Sequence, residues 1–141
     1  MAAKPNLQRF LDAQATDYAQ ALAEVKAGRK RSHWMWYIFP QIQGLGFSST
    51  SKHYAIRDLA EAAAYLQHPV LGPRLVEIST ALVGLASSDA SRIFGNPDDL
   101  KLKSSMTLFA AVPGAEAVFE QVLAKFFGGV RDGQTLQLLG S

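Results

Sequence analysis

The 141 residues contain no cysteine, which excludes disulfides, thiolate nucleophiles and sulfur-ligated metals and accords with a cytoplasmic location. No run of about 18 apolar residues occurs, so no membrane-spanning helix is expected. Residues 1–6 lack the apolar stretch of a secretion signal and read as a flexible N-terminus. Charge of one sign is also scarce: 14 Lys and Arg against 12 Asp and Glu leave +2, too little to argue for nucleic acid as a partner. Repeats and low-complexity tracts are missing. The three histidines, His33, His53 and His68, do not stand at metal-ligand spacing, so neither a metal nor another cofactor is expected. Gly44-x-Gly46 lacks the strand and the third glycine of a dinucleotide fingerprint.

What remains is ordinary globular composition at a length suited to one domain, residues 1–141, with a substantial core. The apolar period is helical almost throughout. Asn6 reads as the cap of a short first helix carrying Leu7, Phe10 and Leu11. Asp17 and Gln20 read as the start of a second, with Tyr18, Ala21, Leu22 and Val25 on one face and Gly28 at its end. A third begins at Asp58, where Glu61 steadies the helix start, and stops at His68-Pro69, with His68 as a cap. The next carries Leu71, Leu75, Ile78 and Leu82, with Pro73 tolerated in its first turn. Residues 88–94 form a short helix ended by Gly95. Asp98 or Asp99 caps another that runs toward Pro113. A last long helix holds Phe119, Val122, Leu123 and Phe126 before Gly128-Gly129. Arg131 to Leu136 reads as a turn with a short apolar end. The expected fold is all-α or nearly so: a compact single-domain bundle of about six or seven helices.

One passage departs from this pattern. Ser32-His33-Trp34-Met35-Trp36-Tyr37-Ile38-Phe39-Pro40-Gln41 follows Arg29-Lys30-Arg31 and holds both tryptophans of the chain. So many large side chains in succession are buried or occupied by a ligand. Residues 34–39 are the only plausible strand. If extended, Trp34 and Trp36 face one side, and Met35 and Tyr37 the other. The rings then either fill the core or wall a binding site, with Arg29, Lys30 and Arg31 holding phosphates at its mouth. The long stretch from His33 to Tyr54, rich in glycine and serine, is the main irregular region and has the length of a functional loop.

His33 is the best single candidate for proton transfer, by virtue of its near-neutral pKa; the alternative is a hydrogen-bonded structural histidine. Asp98, Lys101 and Ser105 share one face of their helix, with Ser104 and Thr107 to either side. That polar cluster either holds a ligand's hydroxyls or phosphate, or simply allows close packing beside a surface ion pair.

The segment Gly28–Gln41, Gly44-Leu45-Gly46, Tyr54-Ala55-Ile56, Glu61-Ala62, Tyr65–Pro69, Leu71-Gly72 and Asp98 to Lys101 with Ser104–Phe109 together resemble the bacterial "domain of unknown function" family eighteen-ten over residues 7–139. That resemblance implies a small, mostly helical, single-domain cytoplasmic protein and no stated activity. Ser51-Lys52-His53-Tyr54 and Asp132-Gly133-Gln134-Thr135-Leu136 are similar to the YbiA-like (NADAR) proteins, helical enzymes that cleave N-glycosidic bonds in nucleotide-derived metabolites. Lys52 stands where that pattern has a glutamate. The similarity implies a general acid–base or ribose-binding role for Asp132, which otherwise reads as a turn residue.

The expected function is binding or turnover of a phosphorylated, nucleotide-like small molecule. His33 and Asp132 are the candidate catalytic residues. Ligand contacts are expected from Lys30, Arg31, Ser32, Trp34, Trp36, Tyr37, Gln41, Tyr54, Lys101, Ser104 and Ser105. The alternative is a non-catalytic module that docks a protein or single-stranded RNA through the basic-aromatic segment.

Overall fold

A single 19-residue helix, α1 (Gln8–Lys26), replaces the two expected at the N-terminal end. Asp17 and Gln20 do not cap a second helix. Asp17 accepts a hydrogen bond from the Tyr37 hydroxyl, and Gln20 donates to Glu24 and Ser32. Their polarity serves side-chain contacts, to Tyr37 and Ser32 beyond the helix and to Glu24 within it, and the backbone continues through them. The computed structural model describes residues 7–140. The expected flexible N-terminus, residues 1–6, and the expected Asn6 cap lie outside them; Leu7 holds the cap position with no side-chain bond.

The aromatic passage is the second correction. Met35–Ile38 is one helical turn, α2, with Trp34 at its N-cap and no strand. Four residues are too few to show a 3.6-residue period, so residue type alone suggested extension. The helical turn also separates the tryptophans: Trp34 is 1% exposed, whereas Trp36 is half-buried.

The remaining elements follow their caps. In α3 (Ser49–His53), Ser48 accepts from Ser51 N at 3.1 Å. In α4 (Leu59–Gln67), Asp58 accepts from Glu61 N at 2.9 Å, while the Glu61 carboxylate accepts from Arg57 N at 2.9 Å, a reciprocal start of the capping-box kind. His68 closes α4, and its Nδ1 accepts from Val70 N and Leu71 N at the start of α5 (Leu71–Val83). Asp89 caps α6 (Ala90–Phe94). Pro97 precedes α7 (Asp98–Ala110), so the two aspartates lie within its first turn. Gly128, left-handed at φ 62°, ends α8 (Val118–Phe127). Asp132 caps α9 (Gly133–Leu138), where a turn was expected.

Among the described residues there are thus nine helices, five of seven or more residues, rather than six or seven. The additional ones, α2, α3 and α9, are all short. Outside the helices, one parallel bridge pairs Ile42 with Ile56. No described helix is long and apolar enough to cross a membrane.

Helix α7 packs against α4, α6, α8 and α9, and α5 against α1, α4 and α8. Through the middle runs a chain of rings, Phe10–Tyr65–Phe109–Phe119, with centroids 5.2, 5.3 and 5.9 Å apart. Where α4 meets α5, a Cβ on Gly72 would lie 2.1 Å from the Leu66 carbonyl oxygen, so the close approach requires glycine.

Candidate functional site

The basic-aromatic passage is organised from below by one carboxylate. Glu24, buried on the last turns of α1, accepts from Arg31 N at 2.6 Å, Ser32 N at 3.0 Å, Ser32 Oγ at 2.7 Å and Trp34 Nε1 at 2.9 Å. Burial alone raises its pKa. The donors, led by the Arg31 backbone and the Ser32 and Trp34 side chains, outweigh burial and bring it down to about 2. The Trp34 ring packs against both Phe39 and Phe94, with centroids 6.2 and 6.3 Å away. Arg29, Arg31 and His33 are left exposed on the outside of this loop.

Lys30 turns the other way. Its backbone N–H bonds Ile93 O at 2.7 Å, and its Nζ meets Asp98 Oδ2 at 2.9 Å. Lys101 Nζ meets Asp98 Oδ1 at the same distance. Burial would raise the Asp98 pKa, but the two ammonium groups hold it below the usual carboxylate range. Two cations sharing one carboxylate leave net positive charge here. Lys101 Nζ in turn stands 4.1 Å from the Trp36 ring centroid, within the range of a cation–π contact.

Trp36 forms one wall of a cleft of about 270 Å³ between the 40–46 loop and α7. Gln41, Lys101, Lys103, Ser104, Asp132 and Gln134 supply its polar lining, and Leu45, Pro97 and Leu100 its apolar lining. Lys103 has no carboxylate within ion-pair distance among the described residues. Gln41 is 8% exposed and its buried Nε2 has no hydrogen-bond partner among the described residues; the residue lines both this cleft and the water-sized pocket beside it. Asp132 reaches the cleft because its N–H bonds Thr107 Oγ1 at 2.9 Å, pinning the start of α9 to α7. Its Oδ2 caps Thr135 N at 2.9 Å, which leaves Oδ1 without a partner among the described residues.

Of the residues singled out from sequence, the fold therefore brings Trp36, Gln41, Lys101, Ser104 and Asp132 to one cleft. Lys30 lies behind it, through Asp98. Tyr54 lines a water-sized pocket of about 20 Å³ that shares Trp36 and Gln41 with the cleft. The others go elsewhere. Trp34 is core, Arg31 and Ser32 surround Glu24, and His33 is exposed outside the cleft lining. Tyr37 donates to Asp17; burial and that carboxylate raise its pKa. Ser105 is buried within α7 with an unpaired hydroxyl. Lys103 and Gln134 were missed. Lys103 had a faint signal as the second lysine of Lys-x-Lys, whereas Gln134 stood inside the Asp132–Leu136 motif without a role of its own, because the end of the chain read as a turn. Among the described residues no cluster of three or more His, Asp or Glu could hold a metal.

A family model described as "Protein of unknown function (DUF1810)" matches residues 4–139. Among solved structures, the chain is similar to the conserved hypothetical protein Rv1873 from Mycobacterium tuberculosis, at 50% identity and a TM-score of 0.93, with 96% of each chain covered. No curated protein matches significantly.

Proposed function

This chain belongs to the DUF1810 family, whose description names no activity, and on its geometry we propose that it binds a phosphorylated, nucleotide-like small molecule in the Trp36 cleft. The observation that carries this is a cleft lined by Lys101 and Lys103 together with Gln41, whose buried Nε2 has no partner among the described residues. The positive charge of these two lysines suits a phosphate. Gln41 adds a directed donor, and Asp132 Oδ1 with Gln134 suits the hydroxyls of a sugar.

Asp132 is the single carboxylate among the described residues lining the cleft. If the ligand is turned over, hydrolysis of an N-glycosidic bond is the reaction this lining supports. A carboxylate beside the sugar stabilises positive charge at the anomeric carbon, or takes a proton from the attacking water, as the base departs.

Thermal denaturation and calorimetric titration with inorganic phosphate, ribose 5-phosphate, AMP and ADP-ribose test the reading. A ligand at about 100 times its Kd adds roughly 2.7 kcal/mol of stability, and the same concentration adds about half as much in Lys103→Ala. A panel that leaves the melting temperature unmoved in both proteins refutes it. Release of free base, seen by chromatography and abolished in Asp132→Asn, separates an enzyme from a binder.

A second reading, a module docking a protein or single-stranded RNA, is favoured by one observation: Arg29, Arg31 and His33 are exposed side by side. With Trp34 in the core, the basic loop has little aromatic surface to stack on bases. Binding of a labelled oligonucleotide that weakens steeply with salt would support this reading.

A further inference from the structure

The cleft accounts for a phosphate and a sugar but not for a ring. Trp36, the obvious stacking surface, already has Lys101 over its ring. A Cβ on Gly46 would stand 3.5 Å from the far corner of its indole, so the loop backbone lies close against that edge.

A second hollow adjoins the cleft. It measures about 390 Å³ and is lined by Gln43, Gly44, Gly46, Phe47 and Lys52. Gly46 alone lines both spaces among the described residues. Only glycine fits at this shared position, because a Cβ at Gly46 would fall 2.5 Å from Ser51 Oγ and 2.6 Å from Ser51 Cβ. Phe47 is 87% exposed, the most exposed large apolar side chain described. Its phenyl ring borders this glycine-lined hollow with most of its apolar surface open to solvent. Lys52, also exposed, has no carboxylate partner among the described residues.

From these observations we infer that the Phe47 hollow is the ring subsite of the same ligand, and that Phe47 determines specificity for phosphates carrying a flat aromatic ring. The inference rests on the phosphate reading of the Trp36 cleft. The phosphate lies against Lys101 and Lys103, the sugar crosses Gly46, and the ring stacks against Phe47 over the Gly44–Gly46 backbone. Base–aromatic stacking tolerates ring identity, so the subsite selects for the presence of a heteroaromatic ring rather than for one particular base. Ring-free sugar phosphates bind by the cleft alone.

The experiment compares AMP with ribose 5-phosphate by calorimetric titration, on the full chain and on Phe47→Ala and Phe47→Tyr. Phe47 is exposed, so its removal leaves the core untouched. The expected result is that the native chain binds AMP about tenfold more tightly than ribose 5-phosphate. Phe47→Ala brings the ratio to near one by weakening AMP, and Phe47→Tyr restores it. Equal binding of the two ligands by the native chain, or a ratio unchanged in Phe47→Ala, overturns the ring subsite while leaving the phosphate cleft standing. If neither ligand nor inorganic phosphate binds, both inferences fall together.

Discussion

Trp34 donates its indole N–H to Glu24 across 2.9 Å, so the largest fully buried side chain of the protein is fixed to a buried carboxylate rather than to another apolar group. Three further donors from Arg31 and Ser32 converge on the same carboxylate. Glu24→Gln replaces an acceptor-only group with an amide that faces donors with a donor. Chemical denaturation is expected to show a loss of about 2–4 kcal/mol at neutral pH.

The same carboxylate makes the fold acid-sensitive in a defined window. Its pKa is lowered from 4.5 to about 2 in the folded chain. The folded state therefore holds the proton less tightly than the unfolded state, and Glu24 contributes stability that is fully present above pH 4.5. That contribution is lost as the pH falls toward 2. Asp98, shifted in the same direction by Lys30 and Lys101, adds to the loss. Stability measured across this range should fall more steeply in the native chain than in Glu24→Gln, with the two curves converging at the acid end. Parallel curves would show that Glu24 is not the titrating group.

The two tryptophans are expected to respond oppositely to removal. Trp34→Ala empties a site beside Phe39 and Phe94 and should cost about 3–5 kcal/mol. Trp36→Ala removes a half-buried ring and its contact with Lys101, at about 1 kcal/mol, yet should weaken phosphate binding by loosening that lysine. Melting curves paired with phosphate titration distinguish them. Equal destabilisation by both would place Trp36 in the core.

His33→Ala is expected to change neither melting temperature nor phosphate affinity, because His33 is exposed and outside the cleft lining. Lys103→Ala should leave the melting temperature of the free protein within about 0.5 kcal/mol of native and reduce phosphate affinity about tenfold. A tenfold loss in the histidine variant would relocate the site to the basic loop.

Gly72→Ala is the sharpest test of the packing. The added methyl would meet backbone, not a movable side chain, so α4 and α5 must separate. A loss of about 3 kcal/mol or more is expected in denaturant unfolding. A near-neutral result would mean that the two helices have room to part.

The start of α4 and the ends of α4 and α6 were legible because Asp58, His68-Pro69 and Gly95 act locally, through one side chain or one dihedral. The continuity of α1 was not, because Asp17 and Gln20 look like helix-start residues and find their partners 20 and 12 positions further along the chain. The same divide runs through the cleft. Lys101 and Ser104 belong to one polar cluster on a single helix and could be read together, although Ser105, placed on the Lys101 face, is buried instead. Asp132 joins them only through Thr107, 25 residues away, and nothing in the order of residues announces that bond. Phe47 carried no periodic signal, since its importance lies in what it does not touch.

Gln14, Asp17 and Glu24 occupy one flank of α1 and hold, in turn, the Tyr37 carbonyl, the Tyr37 hydroxyl and the Trp34 indole. These three attachments share a single phase along the helix. An inserted or deleted residue between Asp17 and Glu24 would swing Glu24 by about 100° and strip the basic loop of its anchor, although every side chain was still present. For this chain, length within α1 is the less forgiving form of change: residues can be exchanged one at a time, but the spacing cannot drift.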